Sequence, residues 1–362
     1  MKILAIESSC DDTAASLIEV QGNTFKILAE KTASQIDIHA VYGGVVPEVA
    51  ARAHAEKILP LIEEILAGQP KPDVIAVTSG PGLLTALLVG VEAAKNLSYL
   101  QGIPLVRVNH LEGHIHSVLI AQKDQPEYPI DLEFPALCLI VSGGHTEIIL
   151  MKDYGDYERI GKTADDAAGE CFDKTAKLLG FDYPGGPKIS KFAETGNPTA
   201  INFPRPMIKE DNYNFSFAGL KTSALYYLRD NSLSAMDIMP ATFPAGIFGQ
   251  SPSSNITVND FCASFEQAIV DVLVTKTIKA CKQHQPKTVI LAGGVSANKR
   301  LRNTLTQEVQ KFDETIKVRL PDIKYGMDNA TMIALASIHH IQKQDFTPWQ
   351  SLVADPNWHI GE

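Results

Sequence analysis

The sequence has few of the residues that build secreted, membrane-spanning or metal-ribbon proteins. Its five cysteines are odd in number and none is spaced as Cys-x-x-Cys: Cys10, Cys138, Cys171, Cys262 and Cys281. This pattern argues against a disulfide framework or a zinc ribbon, and it is typical of a cytoplasmic protein. No apolar run approaches the roughly 20 residues needed to cross a bilayer. The apolar run within residues 1–7 is too short for a signal peptide.

The chain also lacks an excess of basic residues. It has 32 Lys and Arg against 42 Asp and Glu, and its net charge of −10 repels nucleic acid. If RNA is a partner, a local basic face or a second protein must supply the attraction. A length of 362 residues is too great for one compact core, and 45% apolar residues are typical of a soluble globular protein. We therefore expect two lobes.

Two histidines with helical spacing stand out in the sequence. They follow a short apolar strand predicted over 104–108. On a helix, His110 and His114 lie one turn apart on the same face, and His116 points away. Two imidazoles on one face commonly hold a first-row metal ion, although a third ligand is needed. Asp328, at the predicted start of the last helix, is either that ligand or the helix N-cap.

A strand–turn–strand pattern occurs twice along the chain. The first unit has strands at 2–7 and 14–20 around the turn 8–13, with a third strand at 25–33; the second has strands at 136–141 and 147–150 around the turn 142–146. Small polar and acidic turns of this kind offer N–H groups, hydroxyls and carboxylates to a phosphate–metal ligand. The repetition suggests a duplicated architecture with a cleft between the halves.

Other segments complete the predicted organisation. Glycine-rich junctions at 42–48, 78–82 and 292–298 precede helices predicted at 48–67, 83–99 and from Lys299 onward; a long helix is predicted at 259–283. The last junction is a suitable binding position for the sugar or base of a nucleotide. The segment 163–174 predicts an N-capped helix whose acidic residues form a solvated face. Residues 122–134 resemble a linker, and 240–257 an insertion.

Taken in order, these motifs resemble those of the universal tRNA threonylcarbamoyladenosine transferase family, also called the TsaD or Gcp family. The resemblance rests on SerSerCysAspAsp at 8–12, TyrGlyGlyValValProGlu at 42–48, SerGlyProGly at 79–82, AsnHisLeuGluGlyHis at 109–114, ValSerGlyGlyHisThr at 141–146, AspAspAlaAlaGlyGlu at 165–170, TyrProGlyGlyPro at 183–187, PheSerPheAlaGlyLeuLysThr at 215–222, AlaGlyGlyValSerAlaAsn at 292–298 and MetAspAsnAla at 327–330. It covers nearly the whole chain and departs from the family at 240–257.

The resemblance implies an α/β, actin-like/Hsp70-like ATPase fold of two lobes, the first formed by 1–133 with 329–362 and the second by 134–328. It implies transfer of the threonylcarbamoyl group from threonylcarbamoyl-AMP to N6 of adenosine 37 in tRNAs that read ANN codons. One divalent ion, Fe²⁺ or else Zn²⁺, is implied at His110, His114 and Asp328. The implied adenylate-binding residues are Ile140, Val141, Ser142, Gly143, Gly144, Asp173, Gly186 and Asn298.

The family also implies helper proteins: a paralogous TsaB-type subunit, a TsaE-type P-loop ATPase and an enzyme that makes the adenylate. Because the donor is already an activated anhydride, no covalent protein nucleophile is needed; Asp11 or Asp12 is our candidate base near N6. The residues expected to contact RNA phosphates are Lys162, Lys174, Lys188, Lys191, Arg205, Lys209, Lys299, Arg300 and Arg302. Charge reversal at Arg205 and Lys299 together is expected to weaken tRNA modification.

Two other functions compete with this interpretation. A metalloprotease of the His-Glu-x-x-His type needs Glu directly after the first histidine, but Leu111 stands there and Glu112 faces elsewhere on a helix. A non-catalytic nucleotide-binding subunit is suggested by the phosphate-type turns, and the predicted metal triad argues against it.

Overall fold

The computed structural model describes residues 1–120, 125–231 and 256–361. Residues 122–124 of the predicted linker and 240–255 of the predicted insertion lie outside this part of the chain. The strands are β1 Lys2–Glu7, β2 Asp12–Gln21, β3 Thr24–Ser34, β4 Val74–Gly80, β5 Leu105–Asn109, β6 Tyr128–Pro129, β7 Ala136–Val141, β8 Thr146–Asp153, β9 Asp156–Lys162, β10 Thr288–Ala292 and β11 Lys317–Arg319. The helices are α1 Ile36–Ala40, α2 Pro47–Leu66, α3 Leu84–Gln101, α4 His110–His116, α5 Ala168–Leu178, α6 Gly186–Ala193, α7 Ala218–Asn231, α8 Val258–His284, α9 Lys299–Phe312, α10 Ile323–Gly326 and α11 Ala330–Gln342.

The strands form two mixed sheets with the same topology. The first sheet has the order β5-β4-β1-β2-β3-β6, and the second has the order β11-β10-β7-β8-β9. In each, the first strand pairs antiparallel with the returning strand and parallel with a later strand, β4 or β10. Apart from β6, each strand of one sheet therefore has its counterpart in the other. The duplicated architecture expected from the two strand–turn–strand units is confirmed.

Period-two alternation assigns each face of the first sheet to a different helical layer. In β1, Ile3 and Ala5 pack into a core shared with α11, whereas Leu4 and Ile6 pack into a core shared with α2 and α3. All four side chains are at most 1% exposed. A strand buried on both faces reads as a continuous apolar run, which is why the sequence predicts it well.

Helix α4 lies where the two sheets approach each other. Along β7, Leu137 and Leu139 face the core beneath α5 and α8, while Cys138 and Ile140 face a separate core that contains Leu111 and other residues of α4. Helix α4 also packs against α11 of the first lobe. The paired histidines are therefore placed between the two sheets, as a site served by both halves requires.

The segment 163–174 corrects one sequence prediction. Helix α5 begins only at Ala168, because the preceding backbone is used elsewhere: the Thr163 N–H donates to the Thr146 carbonyl and the Ala164 N–H to the Phe215 carbonyl. Asp165 and Asp166 precede α5, so they do not belong to the predicted helix face, although Asp165 is exposed as expected. Asp165 accepts the Phe217 and Ala218 N–H groups at the start of α7, and Asp166 pairs with Lys174 and Lys221.

Strand β9 and the length of β8 were not foreseen from the sequence, which predicted only 147–150 as a returning strand. β8 pairs with β9 across a short turn at Tyr154 and Gly155, so that the second sheet repeats the third strand of the first. No helix within the described ranges is both long and apolar enough to span a bilayer.

Candidate metal centre and substrate cavity

The structure brings His110, His114 and Asp328 together. The Asn109 side chain caps α4 by accepting the Leu111 N–H, which starts the helix so that the two imidazoles lie one turn apart with ring centroids 4.6 Å from each other. Asp328 Oδ1 lies 3.2 Å from His114 Nε2 and 3.6 Å from His110 Nε2. Asn329, not Asp328, caps α11, so the N-cap alternative for Asp328 is wrong.

The surroundings of the three side chains fit a divalent ion. His114 is fully buried, and neither of its ring nitrogens has a hydrogen-bond partner among the described residues. Its 3.2 Å contact with Asp328 lacks hydrogen-bond geometry. Tetrahedral ligands with metal bonds of about 2.0–2.1 Å lie about 3.3 Å apart, close to the two observed spacings. Two imidazole nitrogens and one carboxylate oxygen suit iron and zinc alike.

Glu7 at the end of β1 is a functional residue that the sequence analysis missed. It is fully buried, and its carboxylate accepts the Ser9 N–H at 2.5 Å and the Thr78 hydroxyl at 2.6 Å. Its Oε2 lies 3.1 Å from His110 Nδ1, which directs His110 Nε2 toward Asp328. Burial acts to lower the pKa of His110, but the carboxylates of Asp328 and Glu7 outweigh it and raise that pKa to about 9. Carboxylate–histidine pairs of this type orient metal ligands.

A cavity of about 1520 Å³ opens beside these residues and is lined by both lobes. The first lobe contributes the turn after β1, the loop around Gly43 and the junction after β4; the second contributes the turn after β7, α5, α6 and the start of α9. His110 and Asp328 lie in its wall. A cavity of this size at a lobe junction, with polar groups converging on it, has the form of a substrate site.

Asp11 and Asp12 both line the cavity, as a base near the substrate must. Burial, together with the nearby carboxylate of Asp328, raises the pKa of both groups, and that of Asp12 reaches about 7. Asp12 is 8% exposed, and its Oδ1 has no hydrogen-bond partner among the described residues; Asp11 accepts a hydrogen bond from the Tyr183 hydroxyl at 3.3 Å. Burial holds the pKa of Cys10 well above its usual range, so Cys10 is no thiolate nucleophile.

The residues expected to bind the adenylate divide into two groups. Six of them line the cavity: Ser142, Gly143, Gly144, Asp173, Gly186 and Asn298. Ile140 and Val141 do not, because their side chains are fully buried in cores on opposite faces of the second sheet. Only the backbone of these two residues remains available for the predicted role.

Two of the lining residues hold the cavity wall as well. Asp173 accepts the N–H groups of Gly185 and Gly186 at 2.8 and 3.1 Å, and so fixes the turn that leads into α6. The Asn298 side chain caps α9 at the Leu301 N–H and donates to Glu266 at 2.6 Å. Asp173 and Asn298 thus both line the cavity and fix the backbone that forms its wall. Their predicted contacts with the nucleotide stay predictions.

The expected RNA-contacting residues are only partly found at the cavity. Lys174, Lys191, Lys299 and Arg300 line it, and Lys177 joins them. Arg205 lies elsewhere and makes a two-point ion pair with Asp271 at 2.9 and 3.1 Å. Lys299 is likewise paired, with Glu194 at 2.7 Å. Charge reversal at Arg205 would also break its internal pair, so the expected effect of reversing Arg205 and Lys299 together on tRNA modification stays a prediction.

His145 lines the cavity and received no role from the sequence, although it stands in the motif at 141–146. It follows the two glycines of the turn after β7, which is closed by the Ser142 N–H donating to the His145 carbonyl at 2.8 Å. Burial lowers the pKa of His145 to about 4, so it lines the cavity as a neutral imidazole. Glu112 is turned away from His110 and His114 and meets His340 at 3.0 Å, which removes the metalloprotease alternative.

Comparison with known proteins gives consistent results for fold and family. Over most of its length the chain is similar to HypF structures: that of T. kodakarensis has a TM-score of 0.57 and 14% identity, covering 97% of this chain and 49% of that one. Full-length HypF in a phosphate- and nucleotide-bound form has a TM-score of 0.55 and 15% identity, covering 94% and 55%. This likeness confirms the actin-like fold class.

The sequence comparisons identify the family. The sequence model of TsaD, tRNA N6-adenosine threonylcarbamoyltransferase, matches residues 26–335. A relative of that name from Clostridium perfringens (strain SM101 / Type A) is 45% identical over 99% of this chain and 98% of its own length. One from Bacillus subtilis (strain 168) is 45% identical over 95% of this chain and 91% of its own. The chain belongs to the tRNA N6-adenosine threonylcarbamoyltransferase family.

Proposed function

We propose that the cavity between the lobes binds threonylcarbamoyl-AMP and the target adenosine of a tRNA together. The observation that supports this most directly is the grouping of His110, His114 and Asp328, of which His110 and Asp328 lie in the wall of a cavity lined by the turns after β1 and β7. The adenylate would lie against the second lobe, with its nucleotide near Gly186 and Asn298. The threonylcarbamoyl group would then face the three metal-ligating side chains.

Because the donor is already activated, the reaction depends more on the positioning of the two substrates than on covalent catalysis. Adenosine N6 attacks the carbonyl carbon of the mixed anhydride, the carbon–oxygen bond to the phosphate breaks, and AMP leaves with that electron pair. N6 loses one proton, for which the carboxylate of Asp12 is the proposed acceptor. Neutral His145 and the turn at Ser142–Gly144 would orient the acyl phosphate within hydrogen-bonding reach.

His110, His114 and Asp328 would hold one divalent ion, with Fe²⁺ favoured and Zn²⁺ as the alternative. Such an ion supplies Lewis-acid polarisation of an oxygen and a template for the donor. By accepting from Nδ1, Glu7 would leave the Nε2 lone pair of His110 available to such an ion. Burial raises the pKa of the Cys10 thiol, which disfavours the thiolate that an acyl-enzyme route would need.

The acceptor RNA would reach the cavity past its cationic rim. Lys191 and Lys299 belong to this rim, and they would contact phosphates without reading sequence. With a net charge of −10, the rest of the surface offers little attraction to RNA, so we also propose that a TsaB-type paralogue and a TsaE-type ATPase assist this chain. The proposed location is the cytoplasm. The lobe boundaries proposed are 1–133 with 329–362, and 134–328.

A reconstituted transfer assay tests the proposed function. Synthetic threonylcarbamoyl-AMP, unmodified tRNA and the helper proteins are combined with wild-type chain, Asp328→Asn or His110→Gln, and incorporation of labelled threonine into tRNA is followed. If the metal lowers the activation free energy by several kcal/mol, the transfer rate should fall by about 100-fold or more in both variants.

His284→Gln serves as the matched control, because this histidine lies at the end of α8, outside the cavity. It should transfer at the wild-type rate. Wild-type transfer that survives complete removal of metal, or Asp328→Asn with full activity, would contradict the role given to the three side chains. Failure of the wild-type chain to use the adenylate under any of these conditions would contradict the proposed donor.

A further inference from the structure

A second group of metal-ligating side chains lies on the opposite side of α4 from His110 and His114. It consists of Glu112 from α4 with His339 and His340 from the end of α11, and we call it the α4–α11 cluster. One ligand atom from each residue lies within 4.8 Å of the others. Glu112 Oε2 is 3.0 Å from His340 Nε2 and 3.8 Å from His339 Nε2. These spacings bracket the separation of about 3.3 Å expected between tetrahedral ligands of a zinc-sized ion.

The burial of His339 is not explained by salt bridges within the cluster alone. It is 4% exposed, and neither ring nitrogen has a hydrogen-bond partner in the described part of the chain. Leaving a buried polar group without a partner is unfavourable, so native proteins rarely retain one without a reason. An ion bound at Nε2 would supply the missing partner.

The surroundings of the cluster resemble the outer shell of a metal site. His340 Nδ1 faces Asp345 Oδ2 at 2.9 Å, an arrangement in which a carboxylate fixes the ring so that Nε2 points to Glu112. His116 Nδ1–H donates to the Glu112 carbonyl at 2.8 Å, and the His116 ring stacks on His339 with centroids 5.7 Å apart. Lys343, a cation close to the cluster, is directed to the Tyr154 carbonyl at 3.1 Å.

The backbone closes around the cluster at two glycines. An added Cβ at Gly155, in the turn between β8 and β9 where φ is +75°, would lie 2.8 Å from His339 Cδ2. An added Cβ at Gly113 would lie 2.7 Å from Ile333 Cδ1, which shows how closely α4 approaches α11. The cluster therefore lies where the second lobe's hairpin turn meets two helices packed on the first sheet.

We propose that Glu112, His339 and His340 bind a second divalent ion, of the zinc class, that fixes α4 against α11. Two imidazoles and one carboxylate favour Zn²⁺ over Mg²⁺ or Ca²⁺, which prefer all-oxygen shells. Because the same helix carries His110 and His114, this ion would hold in place the helix that bears the first metal centre. The proposal goes beyond the transfer reaction and does not depend on it.

Metal counting on the intact chain tests the proposal. Wild-type protein loaded with Zn²⁺ and dialysed should retain two ions per chain, and His339→Gln/His340→Gln should retain one. His110→Gln/His114→Gln should also retain one, which separates the two sites. His284→Gln is the control for replacing a histidine elsewhere and should retain two. Two ions in His339→Gln/His340→Gln would overturn the second site, and so would a single wild-type ion that His110→Gln/His114→Gln loses.

A measurement on the wild type covers the case in which a variant does not fold. Crystals of the zinc-loaded chain should show two anomalous-scattering peaks at the zinc edge, one beside His114 and one between Glu112 and His339. A single peak beside His114 would refute the proposal, whereas a single peak at the α4–α11 cluster would support it and contradict the first centre instead.

Discussion

Glu7→Gln removes one buried charge beside the first metal centre while keeping the size of the side chain. Glu7 is 0% exposed and accepts from the Ser9 N–H, the Thr78 hydroxyl and His110 Nδ1. A glutamine retains one acceptor oxygen but places an NH₂ group where the second oxygen stood. His110 would lose its charged acceptor or turn its ring, and Nε2 would no longer be held toward Asp328.

The expected magnitude follows from the position of Glu7 behind a ligand. Replacing a group that orients a metal-bound histidine costs about 10–100-fold in metal affinity, which is about 1.4–2.7 kcal/mol. The upper part of this range is expected, because Glu7 is fully buried and its charge is not screened by water or salt. The other two ligands remain, so binding should weaken and not vanish.

Competition with a chromophoric chelator measures this change directly. Zn²⁺ and, under reducing conditions, Fe²⁺ are titrated into wild-type chain, Glu7→Gln and the control Glu147→Gln, and the dissociation constants of both sites are fitted. Glu147 is a similarly buried strand glutamate, 7% exposed, that pairs with Arg159 in the second sheet. An affinity in Glu7→Gln within about twofold of wild type at the first centre would refute the reasoning, since orientation by a carboxylate predicts at least tenfold.

Three further predictions concern the base, the RNA and the core. Since burial and Asp328 raise the pKa of Asp12 to about 7 and the ionised form is the base, single-turnover transfer should rise with pH up to about 7 and level off above it. Asp12→Asn should lose this dependence and about 10²–10⁴-fold in rate; an unchanged profile would exclude Asp12. Lys191→Glu with Lys299→Glu should lower the log–log salt slope of tRNA binding by about 0.7–0.9 per lost contact, whereas Lys209→Glu, away from the cavity, should not. Ile290→Ala, fully buried in the core shared with α4, should lower the free energy of unfolding by about 2–5 kcal/mol in urea titrations, and a change under 1 kcal/mol would contradict its assigned packing.

Local patterns in the sequence were enough to predict most of the long strands and helices and the duplication of the strand–turn–strand unit. Strands such as β1 and β7 are apolar on both faces, and each is followed by a turn of small polar residues, so both units could be recognised without a structure. The i, i+4 spacing of His110 and His114 likewise fixed their common face. The family motifs supplied Asp328 as the third ligand, which spacing alone had left open.

Contacts between segments that are distant in the sequence could not be predicted from those patterns. Glu7 and His110 meet because β1 lies next to β4, and β4 next to β5, in the first sheet. The start of α5 moved to Ala168 because strand and loop partners compete for the backbone before it. Similarly, Arg205 looked like a free cation until Asp271 was seen to pair with it.

The sequence by itself therefore determined most of the long strands and helices, and which helix face carries the paired histidines, because these depend on the spacing of neighbouring residues. The tertiary structure alone decided which carboxylate stands behind His110, which cations reach the cavity, and that His339 and His340 meet Glu112. Those outcomes depend on side chains brought together across sheet pairings and helix packing, where the free energy of a buried charge is set by neighbours far away in the chain.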